Sequence, residues 1–387
     1  MAKNKQLFCS KPFKWFEVTQ LTERGEVYMC CPSWLDIPIG NLQHQSVEEI
    51  WNGKKAQEIR RSILDGSFKY CNYDRCSFLQ TVTGPVQKVE DVQDKDLKEV
   101  IEKDLTILPY GPREIVCTYD RSCNLSCPSC RTEIIVESKD KQEILKIQGK
   151  IQSEALKEAY YIHITGSGDP FGSPFFRRWL QSMKREEMPG VKQIHLHTNA
   201  QLWTPKMWNT LSKDIQQLVT STEISIDAAS PETYAINRRG GTFEKLLENL
   251  NFVSTLRKNG PLKHVRISMV VQENNFREMP DFVRLGKRFN FDLVYFGQLV
   301  NWGTFSDEEF TRRAIHFPTH PRYREFVNLL QDEIFNQPGV YLGNLSSIKD
   351  LALAGQAAVK KPGQLPVESG TSMLSRIKGI LSKVLVG

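Results

Sequence analysis

The sequence predicts an α/β protein built on a partial (β/α)6 TIM-like barrel, with a small cysteine-rich domain at the N-terminus. From Arg113 to about Gly297, strand-like segments alternate with helical segments six times. Such alternation is typical of parallel strands joined by right-handed crossovers. The strand segments are short and carry polar residues at alternate positions, as expected for a barrel interior that is open to a ligand. An open doubly wound sheet is the alternative.

Composition and charge narrow the class of protein. The chain has 387 residues, 40% of them apolar, which is enough for two or three globular domains. No window has the length and hydropathy of a membrane span, and the start, MAKNKQLFCS, lacks the apolar stretch of a secretory signal. We therefore expect a cytoplasmic protein. The net charge of +6 is spread along the chain without interleaved aromatic residues, so nucleic acid is not an expected partner.

Residues 1–80 are predicted to form a domain of their own. Two short alternating runs around Gly25 suggest a hairpin that ends near Cys30. Ser46 and Glu49 stand in capping-box relation at the start of a helix. Four cysteines in a segment with few apolar residues suggest a metal staple, because the cytosol disfavours disulfides. These cysteines are Cys9, Cys30, Cys71 and Cys76, and a structural zinc site is one alternative for them.

Three further segments flank the predicted barrel. The segment 81–112 is highly charged and predicts a linker with a solvated helix. Residues 301–353 carry no motif, and we expect a cap or a substrate-selecting segment there. Residues 354–387 combine a flexible linker with a basic amphipathic helix, which suits a membrane surface. Docking of that helix on its own domain or on a partner is the equal alternative.

The loop after the first barrel strand carries Cys123, Cys127 and Cys130 in a C-x-x-x-C-x-x-C spacing. Thiolates at such spacing select zinc, copper(I) or iron–sulfur clusters. A structural zinc site uses four protein ligands, whereas three thiolates on a four-iron cluster leave one iron open. The count of three therefore favours a site that performs chemistry.

A glycine-rich loop, TGSGDPFGSP, follows the second strand. Parallel architectures place their chemistry at this end of the strands. The glycines allow a ligand to approach the backbone closely, and Asp169 can accept hydrogen bonds from an amine.

Polar residues also occupy the third and fourth strands. His195, His197 and Asn199 share one face of the third strand, and the fourth contains the sequence SID. For the two histidines a place in the barrel interior is favoured over direct catalysis, and His163 is a third candidate by strand position. The general base is therefore not identified.

The ordered motifs resemble those of the radical S-adenosylmethionine (SAM) superfamily, and the resemblance covers most of the chain. The cysteine loop is followed by GSGD in place of a GGE-type motif, by TNA in place of TNG and by SIDA in place of SIDG. A segment from Arg238 to Phe243 is similar to the R-x-x-x-x-F stretch of the family. The position before Cys130, commonly aromatic in the family and near the adenine, is Ser129, so the adenine contact is not identified.

This resemblance implies a [4Fe–4S] cluster held by Cys123, Cys127 and Cys130, with SAM on the fourth iron. Reductive cleavage of SAM would give a 5′-deoxyadenosyl radical that abstracts hydrogen from a substrate. Carried over by position, the glycine loop would meet the methionine amine and the fourth strand the ribose. The implied cofactor-binding residues are Gly166, Gly168, Asp169, Asn199, Ser225, Asp227 and Arg238.

The N-terminal cysteines resemble the SPASM or Twitch-like module of the same superfamily. Cys9, Gly25 and Cys30 match its opening C-x(9–15)-G-x4-C, and IGNL with EEIWNG resembles its middle. Fewer cysteines follow than usual, which implies a shortened module with one auxiliary [4Fe–4S] cluster on Cys9, Cys30, Cys71 and Cys76. Here the module precedes the barrel, whereas it usually follows it. Cys31 points to the other side of its strand and is expected to be a bystander.

Together these features predict a radical SAM enzyme, an oxidoreductase or a rearranging enzyme, that takes electrons from a donor such as flavodoxin or ferredoxin. The shortened module favours a small substrate, carbohydrate-related or lipid-linked. The alternatives are a peptide- or protein-modifying enzyme and a non-enzymatic iron–sulfur or zinc protein that binds a partner. Peripheral contact with the inner membrane surface through the C-terminal helix would suit a lipid-linked substrate.

Overall fold

A computed structural model describes residues 7–137 and 141–351. The described residues up to Ser346 form one compact unit. The predicted basic helix near the C-terminus lies outside the described residues. Within those residues, no helix combines the length and the apolar character needed to cross a membrane.

Residues 7–103 contain short strands and helices. In chain order these are β1 (Leu7–Cys9), β2 (Trp15–Gln20), β3 (Arg24–Tyr28), β4 (Gly40–Asn41), α1 (Val47–Trp51), α2 (Lys54–Leu64), α3 (Ser77–Thr81), β5 (Val86–Lys88) and α4 (Lys95–Lys103). Strands β2 and β3 form the predicted hairpin. The predicted capping box is confirmed at α1, where the Ser46 hydroxyl accepts from the Glu49 amide at 3.2 Å and the Glu49 carboxylate accepts from the Ser46 amide at 2.8 Å.

The segment 81–112 is not a plain connection. It contains β5, which pairs antiparallel with β1, and the helix α4. The Asp94 side chain caps α4 by accepting from the amides of Asp96 and Leu97. The segment therefore returns to the start of the chain before the barrel begins.

Strands and helices alternate from residue 114 onward. The strands are β6 (Glu114–Cys117), β7 (Tyr161–Ile164), β8 (Gln193–Thr198), β9 (Val219–Ser225), β10 (His264–Val271), β11 (Leu293–Gln298) and β12 (Val340–Tyr341). The helices are α5 (Lys141–Lys150, continued by a π-helical turn over Ile151–Ala155), α6 (Pro174–Ser182), α7 (Pro205–Trp208), α8 (Lys213–Leu218), α9 (Pro231–Asn237), α10 (Phe243–Asn259), α11 (Met279–Arg288), α12 (Asp307–Arg313) and α13 (Tyr323–Leu329).

Strands β6 to β11 are parallel and lie side by side in chain order. A doubly wound sheet reverses its strand order at a switch point, whereas a barrel keeps sequential order. The predicted partial barrel is therefore confirmed, and the doubly wound alternative is excluded.

The sheet continues beyond the barrel strands on both sides. Strand β2 pairs in parallel with β6, from Trp15 beside Glu114 to Val18 beside Cys117, and β12 pairs in parallel with β11. The hairpin of the N-terminal cysteine-containing segment is therefore hydrogen-bonded into the same sheet as the barrel.

The two faces of this sheet differ in polarity, as the alternation of side chains in strands requires. One face packs against the helices with buried apolar residues: Phe16, Ile115, Ile162, Ile194, Ile224, Ile267 and Phe296. The opposite face forms the barrel interior. Across it runs a row of paired residues, Glu17, Val116, His163, His195 and Ser221, on β2 and β6 to β9.

We expect Phe16→Ala to lower the free energy of unfolding of the whole unit by about 3–5 kcal/mol, because Phe16 is fully buried where β2 joins β6. Guanidinium titration followed by circular dichroism measures this loss. Leu21→Ala, at a side chain that is 55% exposed in the hairpin turn, is the control and should change stability by less than about 0.5 kcal/mol. Loss of the hairpin alone, with an unchanged main transition, would contradict the continuous sheet.

Candidate functional site

The cysteine loop, residues 123–130, lies at the carboxyl end of β6. Cys123 and Cys127 are buried around Leu125, and Cys130 packs against them from a half-buried position. The Cys130 amide donates to the Cys127 carbonyl at 2.9 Å and forms the turn between the last two cysteines. The structure thus brings the three predicted ligands together.

Each sulfur of the cysteine loop accepts a hydrogen bond from a nitrogen. The pairs are Asn199 Nδ2 with Cys123 Sγ at 3.6 Å, Arg238 Nη1 with Cys127 Sγ at 3.6 Å and Arg131 Nη2 with Cys130 Sγ at 3.3 Å. Burial raises the pKa of the Cys123 thiol to about 12, so a thiolate there depends on a bound metal. Thiolate sulfurs with N–H donors are the usual environment of iron–sulfur clusters, and the residues fit such a group.

Within the described residues, no three His, Cys, Asp or Glu side chains converge in the manner of ligands to a single metal ion. A four-iron cluster takes each thiolate on a different iron, so its ligands surround a volume rather than a point.

Arg131 is buried beside the cysteine loop, with 5% of its surface exposed. Burial lowers the pKa of its guanidinium, but the negative charges of Cys130, Cys123 and Cys127 outweigh that effect and raise it. No carboxylate pairs with Arg131 in the described part of the chain. A buried cation without a counter-ion is costly, so this arrangement calls for negative charge on the sulfurs.

The glycine loop after β7 packs directly on the cysteine loop. A Cβ at Gly168 would lie 2.6 Å from the carbonyl oxygens of Asp120 and Ser122, so no side chain fits there. A Cβ at Gly166 would meet only Thr118 and His197, at 3.5 Å or more. Gly168 is therefore required for packing, whereas Gly166 leaves space beside the backbone.

Asp169 is fully buried, and both carboxylate oxygens accept hydrogen bonds from the protein. Oδ1 accepts from the amides of Phe171 and Gly172, and Oδ2 accepts from the Thr198 hydroxyl at 2.7 Å and the Asn199 amide at 2.9 Å. The side chain thereby joins the loops after β7 and β8. Its contact with the methionine amine stays a prediction. In this structure the carboxylate holds the two loops in position relative to each other.

Arg238 and Asp227 connect the fourth barrel strand to the cysteine loop. Their ion pair measures 2.8 Å, and Asp227 Oδ1 also accepts from the Val270 amide at 2.7 Å. Burial raises the pKa of Asp227, and the Arg238 charge opposes the rise. Because Arg238 also donates to Cys127, it fixes this sulfur relative to the end of β9.

Three histidines form a cluster inside the barrel. The ring of His163 lies 4.6 Å from that of His195 and 6.0 Å from that of His197, between centroids. Burial, together with neighbouring positive charge, lowers the pKa of His163 and of His197 to about 3, and that of His195 well below its usual value. All three are therefore neutral near pH 7.

Serine hydroxyl groups form hydrogen bonds with two of the three histidines. His195 Nδ1 lies 2.8 Å from Ser221 Oγ, and His197 Nε2 lies 2.9 Å from Ser225 Oγ. His163 Nε2 is buried and has no hydrogen-bond partner in the described residues. Ser225, predicted near the ribose, thus bonds to His197 at the carboxyl end of β9.

The four N-terminal cysteines, here called the auxiliary cysteines, also lie close to one another. Burial raises the pKa of Cys9 to about 12, and negative charge on Cys71 and Cys76 raises it further. Burial likewise raises the pKa of Cys30, and negative charge on Cys9 and Cys76 raises it further. The backbone brings two of their segments together, since the Asn72 amide, next to Cys71, donates to the Trp34 carbonyl at 2.8 Å in the turn that follows Cys30.

Cys31 has different neighbours. Burial and Glu17 raise its pKa, and hydrogen bonds with Ser33 oppose the rise. Its expected role as a bystander stays a prediction.

Glu17 faces the barrel interior from the hairpin. Trp15 Nε1 donates to Glu17 Oε2 at 3.0 Å, while Oε1 receives no hydrogen bond in the part of the chain described. Burial raises the pKa of this carboxyl, and the Trp15 bond and the Lys11 charge oppose the rise. The Lys11 charge also acts on His163, so Lys11 lies near both the hairpin and the interior.

Sequence reasoning missed Arg131 and Glu17. Arg131 directly follows the last cysteine of the loop. A cation next to a predicted thiolate ligand was the sequence feature that could have indicated its role. Glu17 alternates with buried Phe16 and Val18, but only the pairing of β2 with β6 turns its face towards the barrel interior.

Two family models match this chain. Residues 119–286 match the radical SAM superfamily, and residues 9–77 match SPASM, an iron–sulfur cluster-binding domain. These matches confirm both resemblances seen in the motifs. The iron–sulfur and SAM cofactors predicted from the motifs agree with these two families.

Two curated relatives are both named GTP 3′,8-cyclase. The protein of Alkaliphilus oremlandii (strain OhILAs) is 28% identical over 204 residues, covering 49% of this chain and 60% of that protein. The protein of Alkaliphilus metalliredigens (strain QYMF) is 29% identical over 169 residues, covering 42% and 49%. The chain thus spans less than two thirds of the length of either relative.

Solved structures with similar folds include Streptococcus suis SuiB bound to the precursor peptide SuiA, with a TM-score of 0.41, 13% identity and coverage of 81% of this chain and 69% of that one. Native anSMEcpe with bound AdoMet has a TM-score of 0.41, 18% identity and coverage of 61% and 65%. TYW1 with a lysine-pyruvate adduct has a TM-score of 0.36, 14% identity and coverage of 56% and 70%.

We expect His163→Asn to make the protein less sensitive to acid. The pKa of His163 is about 3 in the folded protein and about 6.5 in the unfolded chain. Between these two values unfolding takes up a proton, so the free energy of unfolding falls as the pH drops from about 6.5 to about 3. The variant should lose less free energy of unfolding between pH 7 and pH 5 than the wild type, as measured by guanidinium titration. His44→Asn, at an exposed histidine, is the control. Equal losses in all three proteins would contradict the prediction.

The two sets of cysteines should bind iron independently. We expect the variant with Cys123, Cys127 and Cys130 changed to Ala to lose about four of about eight irons per chain and all SAM cleavage. The variant with Cys71 and Cys76 changed to Ala should lose the other half and retain SAM cleavage. Iron analysis and liquid chromatography of 5′-deoxyadenosine measure these outcomes, and loss of all iron in either variant would show that the sites are not separate.

Proposed function

Because this chain belongs to the radical SAM superfamily and is an enzyme with a SPASM iron–sulfur domain, we propose that it removes a hydrogen atom from a small hydroxylated substrate, such as a carbohydrate, inside the barrel. When bound, the cluster and SAM supply the radical for this step. The protein supplies orientation, the exclusion of water and the handling of protons.

The observation that carries this proposal is the neutral, hydrogen-bonding lining of the interior. The histidine cluster is uncharged, and serine hydroxyls accompany it on β9 and β10. On these strands the interior cation Arg266 pairs with Glu223. Neutral donors and acceptors suit hydroxyl groups, whereas a polyphosphate is bound by unpaired cations or metal ions.

The proposed roles of individual residues follow their places. Cys123, Cys127 and Cys130 would hold the SAM-binding cluster, and the auxiliary cysteines a second one. Gly166, with free space beside its backbone, and the polar ends of β8 and β9 would contact SAM. The predicted electron donor, such as flavodoxin or ferredoxin, remains part of this proposal.

Glu17 is the proposed proton acceptor. Its Oε1 is free to accept a hydrogen bond from a substrate hydroxyl, and burial moves its pKa towards the range in which a carboxylate acts as a base. In this step the substrate O–H bond breaks, the proton moves to Glu17 and the electron pair stays on the substrate oxygen.

The proposal is tested by identifying the class of molecule from which the hydrogen atom is transferred to 5′-deoxyadenosine. The reconstituted enzyme is incubated anaerobically with dithionite, SAM and extracts of cells grown on deuterated glucose, separated into a small-molecule and a peptide fraction. We expect deuterium in 5′-deoxyadenosine with the small-molecule fraction. Label from the peptide fraction alone would instead support peptide modification, and no SAM cleavage by fully loaded protein would support a non-enzymatic partner-binding role.

The cellular site is proposed on the sequence alone. A cytoplasmic enzyme with peripheral membrane contact through the C-terminal helix remains the prediction, and it would suit a lipid-linked sugar. Sedimentation with anionic liposomes, of the full chain and of a chain ending at Gly370, tests this membrane contact. Equal and low binding of both chains would exclude the helix as an anchor.

A further inference from the structure

We infer that Arg131 is a positioning residue that holds the Cys130 thiolate and raises the reduction potential of the cluster on the cysteine loop. The inference rests on the proposed ligation by Cys123, Cys127 and Cys130, and it does not depend on the identity of the substrate.

The guanidinium of Arg131 is clamped between two loops. Nη2 donates to Cys130 Sγ at 3.3 Å and to the Ser167 carbonyl at 2.6 Å, and Nη1 donates to the Arg121 carbonyl at 2.5 Å. The three acceptors belong to the segment before the cysteine loop, to the loop itself and to the glycine loop, so the side chain cannot move away without losing all three bonds. Its charge is therefore held at a fixed distance from the sulfur.

Arg131 differs in net charge from the other two donors to the sulfurs. Asn199 is neutral, and the charge of Arg238 is balanced by Asp227 at 2.8 Å. In the described residues no carboxylate balances Arg131. It is thus the donor whose full positive charge acts on the cysteine loop.

A fixed positive charge favours the reduced form of a cluster, because reduction adds one negative charge to it. Net charge, hydrogen bonds to the sulfurs and solvent exposure are the factors by which a protein sets such potentials. Arg131 contributes to the first two, and its own burial limits screening by water. The cluster should consequently be easier to reduce with Arg131 than without it.

The same guanidinium links the cluster to the glycine loop. Ser167 stands between Gly166 and Gly168, and its hydroxyl donates to the Thr118 carbonyl at 2.6 Å. Arg131 thereby fixes the backbone of this loop against the end of β6. Positioning of the loop and electrostatic tuning of the cluster are two effects of one side chain.

The test is a redox titration of the reconstituted holoenzyme, followed by the electron paramagnetic resonance signal that changes on addition of SAM. We expect Arg131→Gln to shift the reduction equilibrium at least tenfold, which is about 59 mV to more negative potential for one electron. Arg131→Lys keeps the charge but loses the forked hydrogen bonds, so its midpoint should lie between those of the wild type and Arg131→Gln.

Arg239→Gln is the matched control. Arg239 also anchors the cysteine loop, through Ser126 and the Thr132 carbonyl, but it donates to no sulfur. We expect its midpoint potential to equal that of the wild type. Arg239 is exposed, so water screens its charge. An equal negative shift in both variants would show that the burial of Arg131 and its bond to Cys130 have no effect of their own, and it would overturn the inference.

Incomplete cluster loading does not obscure the result, because the resonance signal comes only from molecules that contain the reduced cluster. An unchanged midpoint potential in Arg131→Gln would overturn the inference. Complete absence of the SAM-sensitive cluster in both Arg131 variants would also overturn it, because it would indicate a role in cluster assembly instead. Iron content tests the proposed ligation separately, so a failure of that assignment is distinguishable from a failure of the role of Arg131.

Discussion

The parallel pairing of β2 with β6 determines how the two sets of cysteines are arranged. Because the strands are parallel, Trp15 lies beside Glu114 at the amino ends, and Cys9 precedes it. Strand β3 runs back beside β2, so Cys30 also follows at that end. The cysteine loop instead leaves the carboxyl end of β6. The two sets therefore lie at opposite ends of the barrel interior, with the row of paired residues from Glu17 to Ser221 between them.

Electrostatics divides this interior into two regions. Near the cysteine loop, Arg131 places positive charge beside the sulfurs, whereas the charge of Arg238, which also donates to a sulfur, is balanced by Asp227. Farther inside, desolvation keeps the histidines neutral, and Glu223 compensates Arg266. Charge is thus concentrated where a cluster needs it, and the remaining lining offers neutral hydrogen-bonding groups.

Much of this arrangement could be predicted from the sequence, because it depends on local spacing. The cysteine loop, the strand order and the capping box at Ser46 follow from short patterns. The tasks of Asp169 and Arg131 could not be predicted, because they depend on contacts between loops far apart in the chain. Asp169 accepts from the amide of Asn199, thirty residues later, and Arg131 donates to Ser167, thirty-six residues later. The interior position of Glu17 likewise requires knowledge of a long-range strand pairing.

The continuous sheet also has a consequence for solubility. A partial barrel exposes unpaired backbone groups along its outer strands, and these groups can recruit strands of other molecules. Here the hairpin covers β6, and the outermost strands β4 and β12 contain two residues each. Very short terminal strands offer few groups for intermolecular pairing. The hairpin of β2 and β3 therefore protects the open side of the barrel against aggregation, and the segments on either side of it carry Cys9 and Cys30.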